Sequence, residues 1–304
     1  MGSVLCTVNP LVDICLSIFL NYSLFQTVLI TGASSGLGEA LAHIFFDQGC
    51  KVVLAARRED ELKRVKYGGG GFPGINTKSI KKYYINFHST FIPLVVPLDL
   101  TEIGSFEEKI QRIHDECGSI DILINNGGIS TRANVMDTTI DVDKQVMTVN
   151  YFGPVALTKA VLPKMVKNNS GHIVFVSSIQ GLIAIPHRSS YSASKHALQA
   201  FADSLRAEVN QYKIKVSIAS PGYIQTALSQ NALTATGEKY GVMDKATASG
   251  YTPEYVAKEI MKMVVKKEEE LILSTIGPKL AIYIRFLMPP VYFLIMKNRA
   301  KKMQ

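Results

Sequence analysis

Positive charge is missing from the start of this chain: residues 1–50 hold no Lys or Arg, against three acids, Asp13, Glu39 and Asp47. A secretory leader needs a basic n-region, so the apolar stretch at 11–20 does not read as one. It is interrupted by Asp13 and is shorter than the roughly 20 apolar residues a spanning helix takes. Residues 1–26 therefore read either as a partial anchor or as an ordinary lead-in. Cysteine is scarce and scattered. Cys6, Cys15, Cys50 and Cys117 form no C-x-x-C pair, which argues against a zinc site and a dense disulfide framework. The six histidines show no H-E-x-x-H or other ligand spacing, so no metal is expected. Charged residues make up only 19% of the chain, below the usual quarter. With a mean hydropathy of +0.15, that excludes general disorder. No repeat of 20–50 residues is visible, which excludes a solenoid.

What is present is unevenly placed. The net charge is +8, and residues 255–304 alone carry ten basic residues against four acids. A nucleic-acid binder would interleave such charges with aromatics on a core element. Here Lys297, Arg299, Lys301 and Lys302 flank an apolar run at 280–296, LAIYIRFLMPPVYFLIM. No nucleic-acid partner is expected. Pro289-Pro290 breaks the run, so it reads as an in-plane amphipathic anchor with snorkelling cations, with a core-packing or dimer-contact helix as the alternative. Residues 276–304 are thus an apolar, basic tail suited to a membrane surface. Its last four residues resemble a dilysine retrieval signal, which points to the endoplasmic reticulum membrane.

Between the ends, short runs rich in Val, Ile and Leu occur at 27–30, 51–55, 92–96, 122–124, 172–176, 215–219 and 271–273. They alternate with amphipathic stretches near 36–48, 104–117, 141–167, 190–211 and 253–267. Continuous apolar strands between helices predict a parallel sheet covered on both faces, a single doubly wound α/β domain over 27–275. Residues 67–90 do not fit. Four consecutive glycines stop a helical period, and a basic, aperiodic stretch follows, so they read as a surface insertion.

The first strand runs into Thr31-Gly32-Ala33-Ser34-Ser35-Gly36-Leu37-Gly38 and then a helix. Glycines in a strand–turn–helix let the backbone approach a pyrophosphate, whose charge meets free N–H groups at the helix N-terminus. This makes Gly32, Ser34, Ser35, Gly36, Leu37 and Gly38 candidate cofactor residues. The second strand ends in Arg57-Arg58 where an acid would select NAD by binding the ribose 2′-hydroxyl. A guanidinium there, with Arg57 the candidate, suits a 2′-phosphate, so NADP(H) is expected over NAD(H).

Tyr191 and Lys195 stand four apart on a predicted helix, so the phenol and the ammonium share a face. A cation beside a phenol favours the phenolate and tunes it for acid–base work. Ser178 closes the strand at 172–176, at the edge where open α/β sheets bind ligands.

These motifs together resemble the short-chain dehydrogenase/reductase family over about 27–275. The matching elements are the T-G-x-x-x-G-x-G turn, Asp99-Leu100, Asn125-Asn126-Gly127-Gly128, Asn150, Ser178, Tyr191 with Lys195, and Pro221-Gly222 with Thr226. LITGASSGLGEALA and SSYSASKHALQAFADSLRAE are similar to that family's member 7 and 7B branch. The resemblance implies a Rossmann-type fold and a catalytic tetrad of Asn150, Ser178, Tyr191 and Lys195. In it Tyr191 exchanges a proton with the substrate oxygen, Ser178 hydrogen-bonds that oxygen, and Lys195 holds the nicotinamide ribose while lowering the Tyr191 pKa. Asn150 bends its helix and holds a water. Asp99, with Leu100, meets the adenine; Asn126, with Gly128, the adenosine-side ribose; Pro221 and Thr226 the nicotinamide end. On the residues alone, Asp99 also reads as a helix N-cap and Ser178 as a strand-end cap. Gly127 departs from the usual Ala and should loosen its turn. Pairing of two copies through 141–167 and 190–211 is implied by analogy.

The expectation is an NADP(H)-dependent oxidoreductase that interconverts a secondary alcohol and a carbonyl on a lipid-like small molecule such as a steroid or retinoid. A catalytically silent nucleotide-binding scaffold is the alternative.

Overall fold

The computed structural model describes residues 26–67 and 91–302. The lead-in, Cys6, Cys15, nearly all of the 67–90 insertion and the last two residues lie outside them. Seven strands form one parallel sheet: β1 (Thr27–Thr31), β2 (Lys51–Ala56), β3 (Leu94–Pro97), β4 (Ile122–Asn125), β5 (Gly171–Val176), β6 (Ile214–Pro221) and β7 (Glu270–Leu273). Their order is β3-β2-β1-β4-β5-β6-β7. The order reverses at β1, which pairs β2 on one side and β4 on the other. In such a sheet the crevice outside the carboxyl ends of β1 and β4 is the natural ligand site.

The strands are apolar throughout because both faces are covered. Helices α1 (Gly36–Asp47), α2 (Glu59–Lys66) and α8 (Pro253–Lys266) bury Leu41, Phe45, Leu62 and Ile260 against one face. On the other, α3 (Phe106–Cys117), α5 (Gly153–Asn168) and α6 (Ser189–Val209) bury Phe106, Ile113, Leu157 and Leu198. Each such side chain removed from water contributes about 1.5–3 kcal/mol before entropy is counted. Helices α4 (Ile140–Met147), α7 (Lys245–Ala248), α9 (Ile276–Leu287) and α10 (Pro289–Lys301) complete the described α-helices. Together these form the doubly wound α/β architecture expected from the apolar runs.

Three local differences have clear causes. The stretch at 141–167 is not one regular helix: α4 and α5 are joined by a π-helical turn, Thr148–Phe152, centred on Asn150. The third strand begins at Leu94, not 92, and Val53 pairs with Leu94. Pro93 has no N–H to give to a ladder, and Ile92 is exposed. The tail forms two helices broken at Met288 (φ −136°, ψ 60°), the residue a following proline keeps out of helical geometry.

That tail stays off the core. Of its described side chains only Tyr292 is buried, while Ile276, Tyr283, Phe286, Leu287 and Leu294 are exposed. Among the described residues no helix is long and apolar enough to cross a membrane.

Candidate active site

A cavity of about 700 Å³ runs along the carboxyl edge of the sheet, from the turn after β1 to the segment after β6. Every site residue picked from the sequence lines it except Asn150.

At one end, Gly32 takes a left-handed φ of +67°, open to glycine at little cost. Gly38 packs α1 against the same turn so closely that a Cβ there would lie 2.1 Å from the Gly32 carbonyl oxygen. Ser35 is the N-cap of α1 but makes no side-chain capping bond, so the first N–H groups of the helix face the cavity with no hydroxyl on them. A backbone this bare, at a helix N-terminus, fits a pyrophosphate. Thr226 meets the turn from the other side, 3.0 Å from a Cβ built on Gly36. Arg58 donates to the Ser34 and Ser35 hydroxyls at 3.2 and 3.3 Å, while Arg57 is exposed on the same rim. Asp99, beyond β3, accepts from the Thr101 N–H and hydroxyl, both at 2.9 Å, so it caps its own turn at the cavity edge.

Across the switch point, Asn126 gives its carboxamide N–H to the Thr31 carbonyl at 2.9 Å. The Asn126 and Gly127 backbone N–H groups both donate to the Thr31 hydroxyl at 3.0 Å. The turn at Gly127 is therefore held, not loosened; a Cβ there would press Leu100 Cδ1 at 2.8 Å.

Asn150 is fully buried behind the cavity. Its carboxamide pairs with the Ile129 backbone both ways, at 2.8 Å each, and donates to the Ser194 hydroxyl at 2.9 Å. This pairing clamps the π-helical turn to the β4 loop and to α6.

Helix α6 carries the reactive pair. Tyr191 and Lys195 are both buried, with the Lys195 ammonium 5.8 Å from the centre of the Tyr191 ring. Ser178 lies beside the Tyr191 phenol, donates to the Pro221 carbonyl at 3.5 Å and accepts the Gln180 N–H at 3.2 Å, so it is both a site hydroxyl and a cap. Lys195 donates to the Val176 carbonyl at 2.9 Å, and burial lowers its pKa to about 8. Burial pushes the Tyr191 phenol above its ordinary value; Ser178, Arg188 and Arg132 oppose that rise. The expected Lys195-driven depression of the phenol is thus not what the protein groups produce, because desolvation outweighs the neighbouring positive charge.

Sequence reasoning missed Arg132 and Arg188, which line this cavity and meet at Asp244, a residue outside its lining. They come from three distant segments with no local motif, so no spacing signal could have joined them. Arg58 was noted only as a neighbour of Arg57. Among the described residues no group of three or more His, Cys, Asp or Glu is placed to hold a metal.

The sequence matches the short chain dehydrogenase family over residues 26–69 and 76–236. It is 54% identical over 281 residues to a "Dehydrogenase/reductase SDR family protein 7-like" of Anopheles gambiae, covering 91% of this chain and 84% of that one. It is 47% identical over 275 residues to a "Dehydrogenase/reductase SDR family member 7B" of Xenopus laevis, covering 90% and 82%. A short-chain dehydrogenase from Streptomyces avermitilis superposes with a TM-score of 0.70 at 25% identity, over 91% of this chain and 97% of that one.

Proposed function

This chain belongs to the short-chain dehydrogenase family, an oxidoreductase of CH–OH groups that uses a nicotinamide nucleotide, and from that premise we propose a carbonyl reductase/alcohol dehydrogenase that prefers NADP(H) and acts on a lipid-like substrate at a membrane surface. One observation carries the chemistry: Ser178, Tyr191 and Lys195 converge in the same cavity as the glycine turn.

The cofactor supplies and accepts the hydride. The protein does the rest. Gly32 to Gly38 would receive the pyrophosphate at the α1 N-terminus, with Asp99, Leu100, Asn126 and Gly128 along the adenosine side. Pro221 and Thr226 would flank the nicotinamide end, and Lys195 would hold its ribose. In the reductive direction the Tyr191 hydroxyl gives its proton to the developing alkoxide, and Ser178 hydrogen-bonds that oxygen. A raised phenol pKa keeps Tyr191 protonated for this task. Asn150 has its carboxamide engaged by Ile129 and Ser194, so a relay water would meet its main-chain carbonyl instead.

The NADP(H) preference rests on Arg57 and Arg58 standing where an acid would read a free 2′-hydroxyl. Arg58→Ala should raise the KM for NADPH about ten-fold and leave that for NADH nearly unchanged; equal effects on both would refute the preference.

The lipid and membrane readings rest on the tail. The Tyr292 phenol donates to the Ala184 carbonyl, and Arg299 reaches the Tyr223 hydroxyl at 3.4 Å, fastening α10 beside the cavity mouth with its apolar side chains exposed. Basic residues flank it, as an interfacial helix requires. An endoplasmic reticulum membrane, for which the only support is the resemblance of Lys301-Lys302 to a dilysine signal, and a homodimer through α5 and α6 belong to the same proposal. NADPH oxidation against steroids, retinoids and long-chain carbonyls tests the substrate class. Turnover confined to small soluble ketones would refute it.

A further inference from the structure

Arg64 stands in the last turn of α2, and Glu39 in the first turn of α1, next to the glycine turn. Their side chains meet fork to fork: the Arg64 Nη1 donates to Glu39 Oε1 at 2.7 Å and Nη2 to Oε2 at 2.9 Å. The same Nη2 donates to the Ser34 carbonyl at 3.2 Å, and Nε to Glu61 Oε2 at 2.8 Å. Ser34 is thus gripped twice, at its carbonyl by Arg64 and at its hydroxyl by Arg58. Ser34, Ser35, Arg57 and Arg58 line the cavity, and Arg64 and Glu39 stand behind them, outside the lining.

A carboxylate in the first turn of a helix suits the helix dipole, but here it competes with the phosphates that the same N-terminus would receive. The Glu39 side chain is only 16% exposed, so water screens it incompletely. The other basic group beside it, His43, lies 4.0 Å away, and burial lowers the His43 pKa, so that ring is uncharged near neutral pH. The permanent positive charge on Glu39 is therefore Arg64. A guanidinium is always protonated, and its planar fork fixes both carboxylate oxygens at once. With Arg64 itself 31% exposed, the pair adds little to folding, so its loss should leave a folded protein.

We propose that Arg64 is a positioning residue that sets nucleotide selectivity: it neutralises Glu39 and fixes the Ser34 backbone, so that the rim of Ser34, Ser35, Arg57 and Arg58 presents net positive charge to the 2′-phosphate of NADP(H). This rests on the NADP(H) reading and deepens it. The preference then depends on a charge pair outside the cavity as well as on the arginines that line it.

Calorimetric titration of NADP+ and NAD+, which differ only by the 2′-phosphate, into the full chain reads the claim without turnover. Arg64→Met should weaken NADP+ binding about ten-fold or more and NAD+ binding by about three-fold at most. Glu39→Gln alone should tighten NADP+ by about two- to three-fold. In the double variant Arg64→Met/Glu39→Gln, NADP+ affinity should return to within about three-fold of the parent, because the pair is removed without a net change of charge. Arg64→Lys, which keeps the charge and loses the fork, should stay closer to the parent than Arg64→Met does. A merely structural pair behaves differently: both nucleotides weaken alike, and the double variant binds NADP+ no better than Arg64→Met. Either result overturns the proposal. Should Arg64→Met not fold, Glu39→Gln decides alone, and NADP+ affinity that is unchanged or weaker in it overturns the proposal. A parent protein that binds NAD+ as tightly as NADP+ contradicts the cofactor preference instead. Loss and recovery of NADP+ affinity across the same variants would still uphold the screening of Glu39 by Arg64, and their absence would sink both.

Discussion

Thr31 and Asn126 are tied across the switch point of the sheet: the Asn126 side chain donates to the Thr31 carbonyl at 2.9 Å, and its backbone N–H to the Thr31 hydroxyl at 3.0 Å. The Gly127 N–H shares that hydroxyl. One threonine therefore holds the loop after β4 against the turn after β1, and with it the two walls of the nucleotide crevice.

Thr31→Val keeps the shape and removes the acceptor, leaving two N–H groups unpaired in a half-buried turn. Each lost partner should cost about 1–3 kcal/mol. Chemical denaturation should show the midpoint falling with an unchanged slope, and NADP+ should bind more weakly. An unaltered midpoint would show that the tie contributes nothing.

Much of this arrangement was legible before the fold was known, and the boundary of legibility has a physical basis. Strands such as 172–176 announce themselves because both faces are buried, which forces a continuous apolar run. The glycine turn announces itself because a Cβ would lie 2.9 Å from the Gly127 Cα at position 32, where φ is +67°, and 2.1 Å from the Gly32 carbonyl oxygen at position 38. The π-helical turn at Asn150 left no such mark, since its cause is a pairing with Ile129, 21 residues away. The Arg132–Asp244–Arg188 cluster is hidden for the same reason: its members are 112 and 56 residues apart along the chain. Contacts made by the chain's long-range closure carry no local period.

Lys195 gives the pH profile its shape. Burial lowers its pKa to about 8, so the ammonium is present below that value and lost above it. Tyr191 is shifted the other way and stays protonated through this window. The reductive kcat/KM should be flat below pH 8 and fall on the alkaline side with a midpoint near 8. Lys195→Arg, always charged, should abolish that limb at a cost in rate of about ten-fold or more. A limb that persists in Lys195→Arg would assign it to another group.

His172 makes the fold acid-sensitive at a distance from the chemistry. Its Nε2 lies 2.8 Å from the Ser217 hydroxyl, which itself donates to the Glu268 carbonyl at 2.6 Å. Ser217 must then accept from Nε2–H, and the buried Nδ1 is left without a partner. Burial lowers the His172 pKa to about 4. In the unfolded chain the imidazole protonates near pH 6.5, so between 6.5 and 4 the unfolded state binds more protons. Stability is fully present above pH 6.5 and is lost as pH falls through that interval. His172→Gln should flatten the dependence of melting temperature on pH there. An equally steep dependence in the variant would place the acid sensitivity elsewhere.

The central claim is that Tyr191 delivers the proton while hydride passes from the bound nucleotide. Single-turnover loss of NADPH absorbance, with a long-chain carbonyl substrate and saturating protein, reads that step directly. Tyr191→Phe should slow it by about 10²–10⁴-fold and leave NADPH affinity within a few-fold of the parent protein. A Tyr191→Phe protein that reduces the same carbonyl at the parent rate would contradict the account.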